Sequence, residues 1–238
     1  MRIYILFIFI IGLACSFQSC DREDDFKPDF KRAYMPLEVG YYVIYDVDSI
    51  TYDDFFSPPR VDTATYQLKE YIESSFEDLE GRLSFRIERH RRPNENAAWE
   101  VKNVWFATED DTRVERVEDN IRFIKLIFPP REGESWAGHQ YVQTTEELAF
   151  MADWEYQYEN VDMPFELNGH FFDSTLTVHQ RDRDILIEKV YAKEKYAKNV
   201  GLIYKEWLFL KKQNVAAPWS EASSGFIYTK RIADYGFE

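Results

Sequence analysis

The side chains best suited to general-base or metal-ligand work in this chain are four histidines, His90, His139, His170 and His179, and their spacing supports neither role. No two stand at the i, i+4 separation that sets a pair of imidazoles on one helical face. Each is expected on a strand facing solvent or in a turn, and His170 and His179 could share a metal only through the fold. A serine nucleophile elbow needs Gly-x-Ser-x-Gly between a strand and a long helix. The nearest stretch, Gly133-Glu134-Ser135-Trp136-Ala137-Gly138, is one residue off that spacing and leads into no such helix, so it reads as a turn. Asp46 and Asp48 begin like a calcium loop, but Ile50 and the missing glycine break the pattern, which leaves them on the solvent face of a strand. With 43 Asp and Glu residues, facing carboxylates arise by accident, so a glycosidase pair carries no weight and a hydrolase is the last of the readings. The expectation is a non-enzymatic chain without cofactor or metal.

Two thiols remain, Cys15 and Cys20. Arg2 precedes an apolar run, residues 3–13, which has the form of an export signal. As a helix that run rises only about 16 Å, roughly half a bilayer's hydrocarbon thickness, so cleavage is favoured over spanning. Phe17 and Ser19 stand three and one residues before Cys20, and this neighbourhood resembles a bacterial lipobox of the Bacteroidetes type; Cys15 has Gly12 and Leu13 in the corresponding places and fits less well. Several acyl chains on Cys20 would hold a protein at a membrane where a single chain binds only marginally, since each buried methylene contributes roughly 0.8 kcal/mol. The alternative is an ordinary secreted protein cleaved near Ala14. Asp21, Glu23, Asp24 and Asp25 resemble the acidic signal that directs such lipoproteins to the outer face of the outer membrane, although Arg22 interrupts the run. The implied organisation is a lipoprotein signal peptide over 1–19, an acidic tether over 20–33 and one β domain over 34–238. Localisation is then the outer membrane, lipid-anchored, with the cell surface favoured over the periplasmic face. The mature chain would hold no free thiol, hence no disulfide, thiolate zinc site or cysteine nucleophile.

The elements that must position any site are strands. The formal net charge is −14, and the signal holds one of the 29 basic residues and none of the acidic ones, so the mature chain is more acidic still. Such a chain repels polyphosphate, and no Lys/Arg stripe offsets it, which argues against nucleic acid as a partner. Period-two alternation recurs over 41–50, 65–73, 83–90, 99–108 and 112–118. Residues 121–128 are apolar on both sides and are expected to be central in a sheet. Further strands are expected over 154–161, over 164–180 as a hairpin turning at Asn168-Gly169, and over 185–196, 200–212 and 225–233. Thr144 and Glu147 form a possible capping box, which predicts one short helix near 144–152. The whole predicts a mainly all-β fold, an antiparallel meander of about ten to twelve strands curled into a barrel or half-barrel.

Three stretches now resemble a group of Bacteroidetes outer-membrane lipoproteins of no assigned activity: Tyr34-Met35-Pro36-Leu37-Glu38-Val39-Gly40-Tyr41-Tyr42, Gly133-Glu134-Ser135-Trp136, and the run from Tyr196 to Glu206 around Val200-Gly201-Leu202. Those chains open with Pro-Leu-x-x-Gly-x-x-Trp, and here Val43 stands in place of the tryptophan. The resemblance implies a lipid-anchored β domain and no activity. Trp99, Trp105, Trp154 and Trp207 read as core. Trp219, after Pro218 in the polar loop 214–224, is the candidate contact for a ligand or partner, or else a residue that folds back over the open end of the barrel. The functional expectation is a non-catalytic binding or accessory role, as a subunit of an outer-membrane complex with an integral membrane protein or as a surface glycan-binding module. The alternative is a carrier of lipid or another hydrophobic ligand in a barrel cavity, which would need a continuous apolar cavity with few charges at its mouth.

Overall fold

The alternation that begins at residue 41 defines the inside of a barrel. Strand β1 (Tyr41–Asp53) buries Tyr41, Val43, Tyr45 and Val47 and turns Asp46 and Asp48 outward, because successive side chains on a strand point to opposite faces. The computed structural model describes residues 32–142, 151 and 154–238. Among them, twelve strands form a single antiparallel sheet. On one side of β1 the chain meanders through β2 (Arg60–Glu77), β3 (Leu83–Arg92), β4 (Glu100–Glu109), β5 (Arg113–Glu118) and β6 (Ile121–Ile127). On its other side lie β12 (Ser224–Phe237), β11 (Gly201–Lys211), β10 (Glu188–Ala197), β9 (His170–Ile185), β8 (Tyr156–Leu167) and the two-residue β7 (Ser135–Trp136). The all-β, antiparallel, barrel-shaped expectation is met.

The hairpins follow their turn chemistry. Asn168 and Gly169 both have positive φ, 51° and 78°, as a two-residue turn of this hand requires. Two expectations need correction. Residues 121–128 are not central: β6 ends the hydrogen-bonded order. Its apolar character has another cause, since its free edge is covered by the segment after β7. There Ile124 N–H donates to the Gly138 carbonyl at 2.9 Å and the Trp136 indole N–H donates to the Ile124 carbonyl at 2.9 Å. The buried Tyr158 hydroxyl completes the seam by accepting Ile127 N–H and donating to the Ile127 carbonyl, each at 2.8 Å. The second correction concerns 154–180, which forms one long hairpin of β8 and β9 rather than a strand followed by a hairpin; irregular pairing around Met163 had broken the alternation. The helix predicted near 144–152 falls on residues of which Met151 alone is described, and Met151 is buried in the core.

Antiparallel connection places the loops 54–59, 93–99, 119–120, 186–187 and 212–223, and the β7–β8 connection, at one end of the barrel, and the turns 78–82, 110–112, 168–169 and 198–200 with residues 33–40 at the other. That second end is plugged. Tyr34 is fully buried, with its hydroxyl 2.8 Å from Asp162 and 2.7 Å from Ser174. Leu37 packs against both main core clusters, and Asn199 N–H donates to the Ala33 carbonyl at 2.7 Å.

Candidate functional site

The same alternation that buries apolar side chains carries charged ones inward. On β2 the inward row is Leu68, Glu70, Ile72; on β3 it is Phe85, Ile87, Arg89; on β10 it is Ala192, Glu194, Tyr196; and on β12 it is Tyr228, Lys230, Ile232. A buried charge is tolerated only when paired, and here the pairs join into one chain. Glu70 receives Arg116 at 2.7 Å, Lys230 at 3.0 Å and Arg89 at 3.5 Å. Arg116 and Lys125 each lie 3.6 Å from Glu118. Glu194 takes Lys125 at 2.7 Å, Lys205 at 2.9 Å and the Tyr196 hydroxyl at 2.7 Å. Trp105 is clasped between two of these cations, with the Arg89 guanidinium 3.4 Å and that of Arg116 5.0 Å from its ring.

These contacts set the charge states. Burial pushes the Glu70 carboxyl up, but Arg116, Lys230 and Arg89 outweigh it and hold it well below the usual carboxylate range. Glu194 behaves alike: burial is overcome by Lys125 and Lys205, so it stays ionised. Lys230 goes the other way and is pushed down to about 8, chiefly by burial and then by Arg116, Arg89 and Lys205, in spite of Glu70 beside it. One carboxylate is shared among too many cations.

Above this network the barrel holds a cavity of about 470 Å³, opening at the end where these loops lie. Its aromatic wall comprises Trp105, Trp207, Phe226 and Tyr228, with Trp207 and Phe226 edge to face at 5.0 Å. Its cations are Arg89, Lys102, Lys205 and Lys230, and its carboxylates are Glu118, Asp119 and Glu194. Asp119 is held at the rim by the Trp105 indole N–H at 3.1 Å and the Asn103 amide at 2.6 Å. Lys102, exposed at the rim, makes no ion pair among the described residues; partial desolvation of its ammonium, then Arg89, lowers its pKa. The size falls in the range of small-molecule sites, which combine apolar walls with a few placed polar groups. The described lining of this cavity is mixed, with charges standing among the aromatic rings.

Beside it, a void of about 30 Å³, room for a single water, is lined by His139, Gln180 and Trp154. His139 sits in a turn, as expected, but its ring is half-buried and directed inward. It packs against Phe123, Trp154 and Tyr156, and burial, then Lys125 and Lys205, pushes its pKa down to about 3. His170 stacks on Phe172, His179 meets Tyr191, and the two stand nine positions apart on β9, about 30 Å along a strand, so no metal joins them. Ser135 is exposed on β7. Asp46 and Asp48 lie on the outer wall, paired with Gln67 and Arg231. Trp219 is half-buried in the short turn Trp219–Glu221, packs against the cluster of Tyr52, Leu210 and Ala222, and carries the Lys212 ammonium 4.4 Å over its ring. Thr51 and Phe226 line the cavity, so their neighbours Tyr52 and Ile227 face outward, and Trp219 covers the outer wall. Cys20 lies outside the described residues.

No family model matches the chain, and no curated protein matches it. Among solved structures it is similar to a protein from Bacteroides fragilis whose fold is described as YMCC-like, at a TM-score of 0.39 and 11% identity, over 84% of this chain and 98% of that one. A likeness at that level transfers no activity and no ligand to this chain.

Proposed function

We propose that this is a lipid-anchored envelope protein that works by binding, with no catalytic step, and that its ligand site is the cavity inside the barrel. The observation that carries the reading is a cavity of about 470 Å³, lined by four aromatic rings and by convergent charged side chains, at the open end of a barrel plugged at the other. The export signal and the residues around Cys20 support the anchor, and Asp21 to Asp25 support the outer face of the outer membrane. The outer wall supports a barrel standing in water rather than in lipid. A membrane-spanning barrel turns an apolar band outward, whereas this wall carries ion pairs such as Arg86 with Glu73 and Glu88, Lys193 with Glu206, and Arg231 with Asp48.

Two measurements test the proposal. Replacing Cys20→Ser should move the protein from the detergent phase to the aqueous phase in a detergent-partition experiment, and an unmodified amino terminus on native material would overturn the anchor. Protein extracted from its own membrane in mild detergent and then denatured should release a small molecule near one per chain. Stoichiometric recovery of an integral membrane protein with an empty cavity would favour the accessory-subunit role instead, and retention on polysaccharide gels that Trp219→Ala abolishes would favour the glycan-binding one.

A further inference from the structure

The interior charge count identifies a class of ligand, an inference that rests on the cavity being the binding site. Among the described residues, five interior cations, Arg89, Arg116, Lys125, Lys205 and Lys230, face three interior carboxylates, Glu70, Glu118 and Glu194. Two positive charges are left over inside a chain whose formal net charge is −14. The surplus is unlike the protein's surface and costs desolvation unless an anion joins it. Donors are available for one. Among the described residues, Lys205 and Lys230 each spend a single N–H on a carboxylate, the buried Arg89 Nε makes no hydrogen bond although Glu70 lies 3.5 Å away, and Lys102 at the mouth makes no ion pair. The aromatic wall lies on the same cavity, where Trp207 pairs with Tyr228 across β11 and β12.

We propose that the cavity binds an organic anion, a carboxylate, sulfonate or phosphate carried on a flat or aliphatic apolar body, with the acidic group among Arg89, Lys205 and Lys230 and the body against Trp105, Trp207 and Tyr228. The low pKa of Lys230 agrees with this, because a bound anion would supply the counter-charge that Glu70 alone does not.

A matched pair of fluorescent probes tests the class: anilinonaphthalene sulfonate, and N-phenylnaphthylamine, which has the same ring body without the sulfonate. The protein is residues 21–238, which contain every described strand and core residue. The expected result is one saturable site for the sulfonate, at least tenfold tighter than for the uncharged probe. Lys205→Gln and Trp207→Ala should each weaken it several-fold. Lys102→Gln, which breaks no ion pair among the described residues, should weaken it while leaving the melting temperature nearly unchanged, and Leu186→Ser on the exposed β9–β10 turn should leave it unchanged. Equal affinity for both probes, with Trp207→Ala still weakening them, would overturn the anionic class and leave the cavity as a site. Binding by neither probe, or binding lost with Leu186→Ser and kept with Trp207→Ala, would overturn the cavity reading and the class together.

Discussion

Glu70 is the residue on which the interior depends most, because one carboxylate compensates three buried cations, Arg116, Lys230 and Arg89. Removing one partner of a buried pair strands the other, at a cost of about 3–5 kcal/mol. Glu70→Gln should therefore destabilise the barrel by that amount in urea unfolding, and a loss under 1 kcal/mol would show that the cations relax toward water. His139 supplies a different handle. Its imidazole titrates near 3 in the fold, against an ordinary value of about 6.5, so between those limits the unfolded chain binds the extra proton and stability falls as the pH drops. Glu70 and Glu194 have lowered pKa values and withdraw their stabilisation only when the pH falls below the ordinary carboxylate range. The window from pH 6.5 to 5 thus reports chiefly on His139. His139→Phe keeps the ring contacts with Phe123, Trp154 and Tyr156 and should remove about 1–2 kcal/mol of the stability lost across that window, read as a flatter melting temperature against pH.

Between elements, the weakest join is the one where β6 meets the β7–β8 edge without a continuous ladder. A single hydroxyl, that of Tyr158, stands in for a paired strand residue by serving both backbone groups of Ile127. Tyr158→Phe leaves that donor and acceptor without partners, which costs about 1–3 kcal/mol per group. Hydrogen exchange at the Ile124 and Ile127 amides should accelerate while the β1–β12 pairing keeps its protection; uniform acceleration would mean that the seam opens only with the whole sheet. This seam also marks where sequence reasoning stops. Alternation in 41–50 and 83–90 and the Asn168-Gly169 turn were legible because each is a local pattern. The coverage of β6 was not, because residues 136–138 reach it from outside the ladder, and an edge strand covered in this way has the apolar composition of a central one. The cavity lay between the two cases. Glu70 sits between Leu68 and Ile72, Glu194 between Ala192 and Tyr196, and Arg89 follows Phe85 and Ile87, so parity alone placed all three inside. A reading that took the apolar members of each row as the inward face passed over the charges standing in the same row.

At the scale of the molecule, the barrel has a closed end, where residues 33–37 enter, and an open end, where the cavity meets solvent. An anchor at Cys20 would attach on the plugged side and leave the mouth free of the leash. The pairing of β1 with β12, from Tyr42 opposite Gly236 to Tyr52 opposite Gly225, adds a constraint in time. The strand that fills the gap between β1 and β11 comes after the other eleven described strands in chain order, and Glu238 N–H bonds back to the Gly40 carbonyl. Contacts between residues so far apart in sequence form slowly. A chain that emerges amino terminus first cannot complete this sheet, nor assemble the Lys230–Glu70 pair inside it, until β12 has followed the other eleven strands; the interior is sealed last.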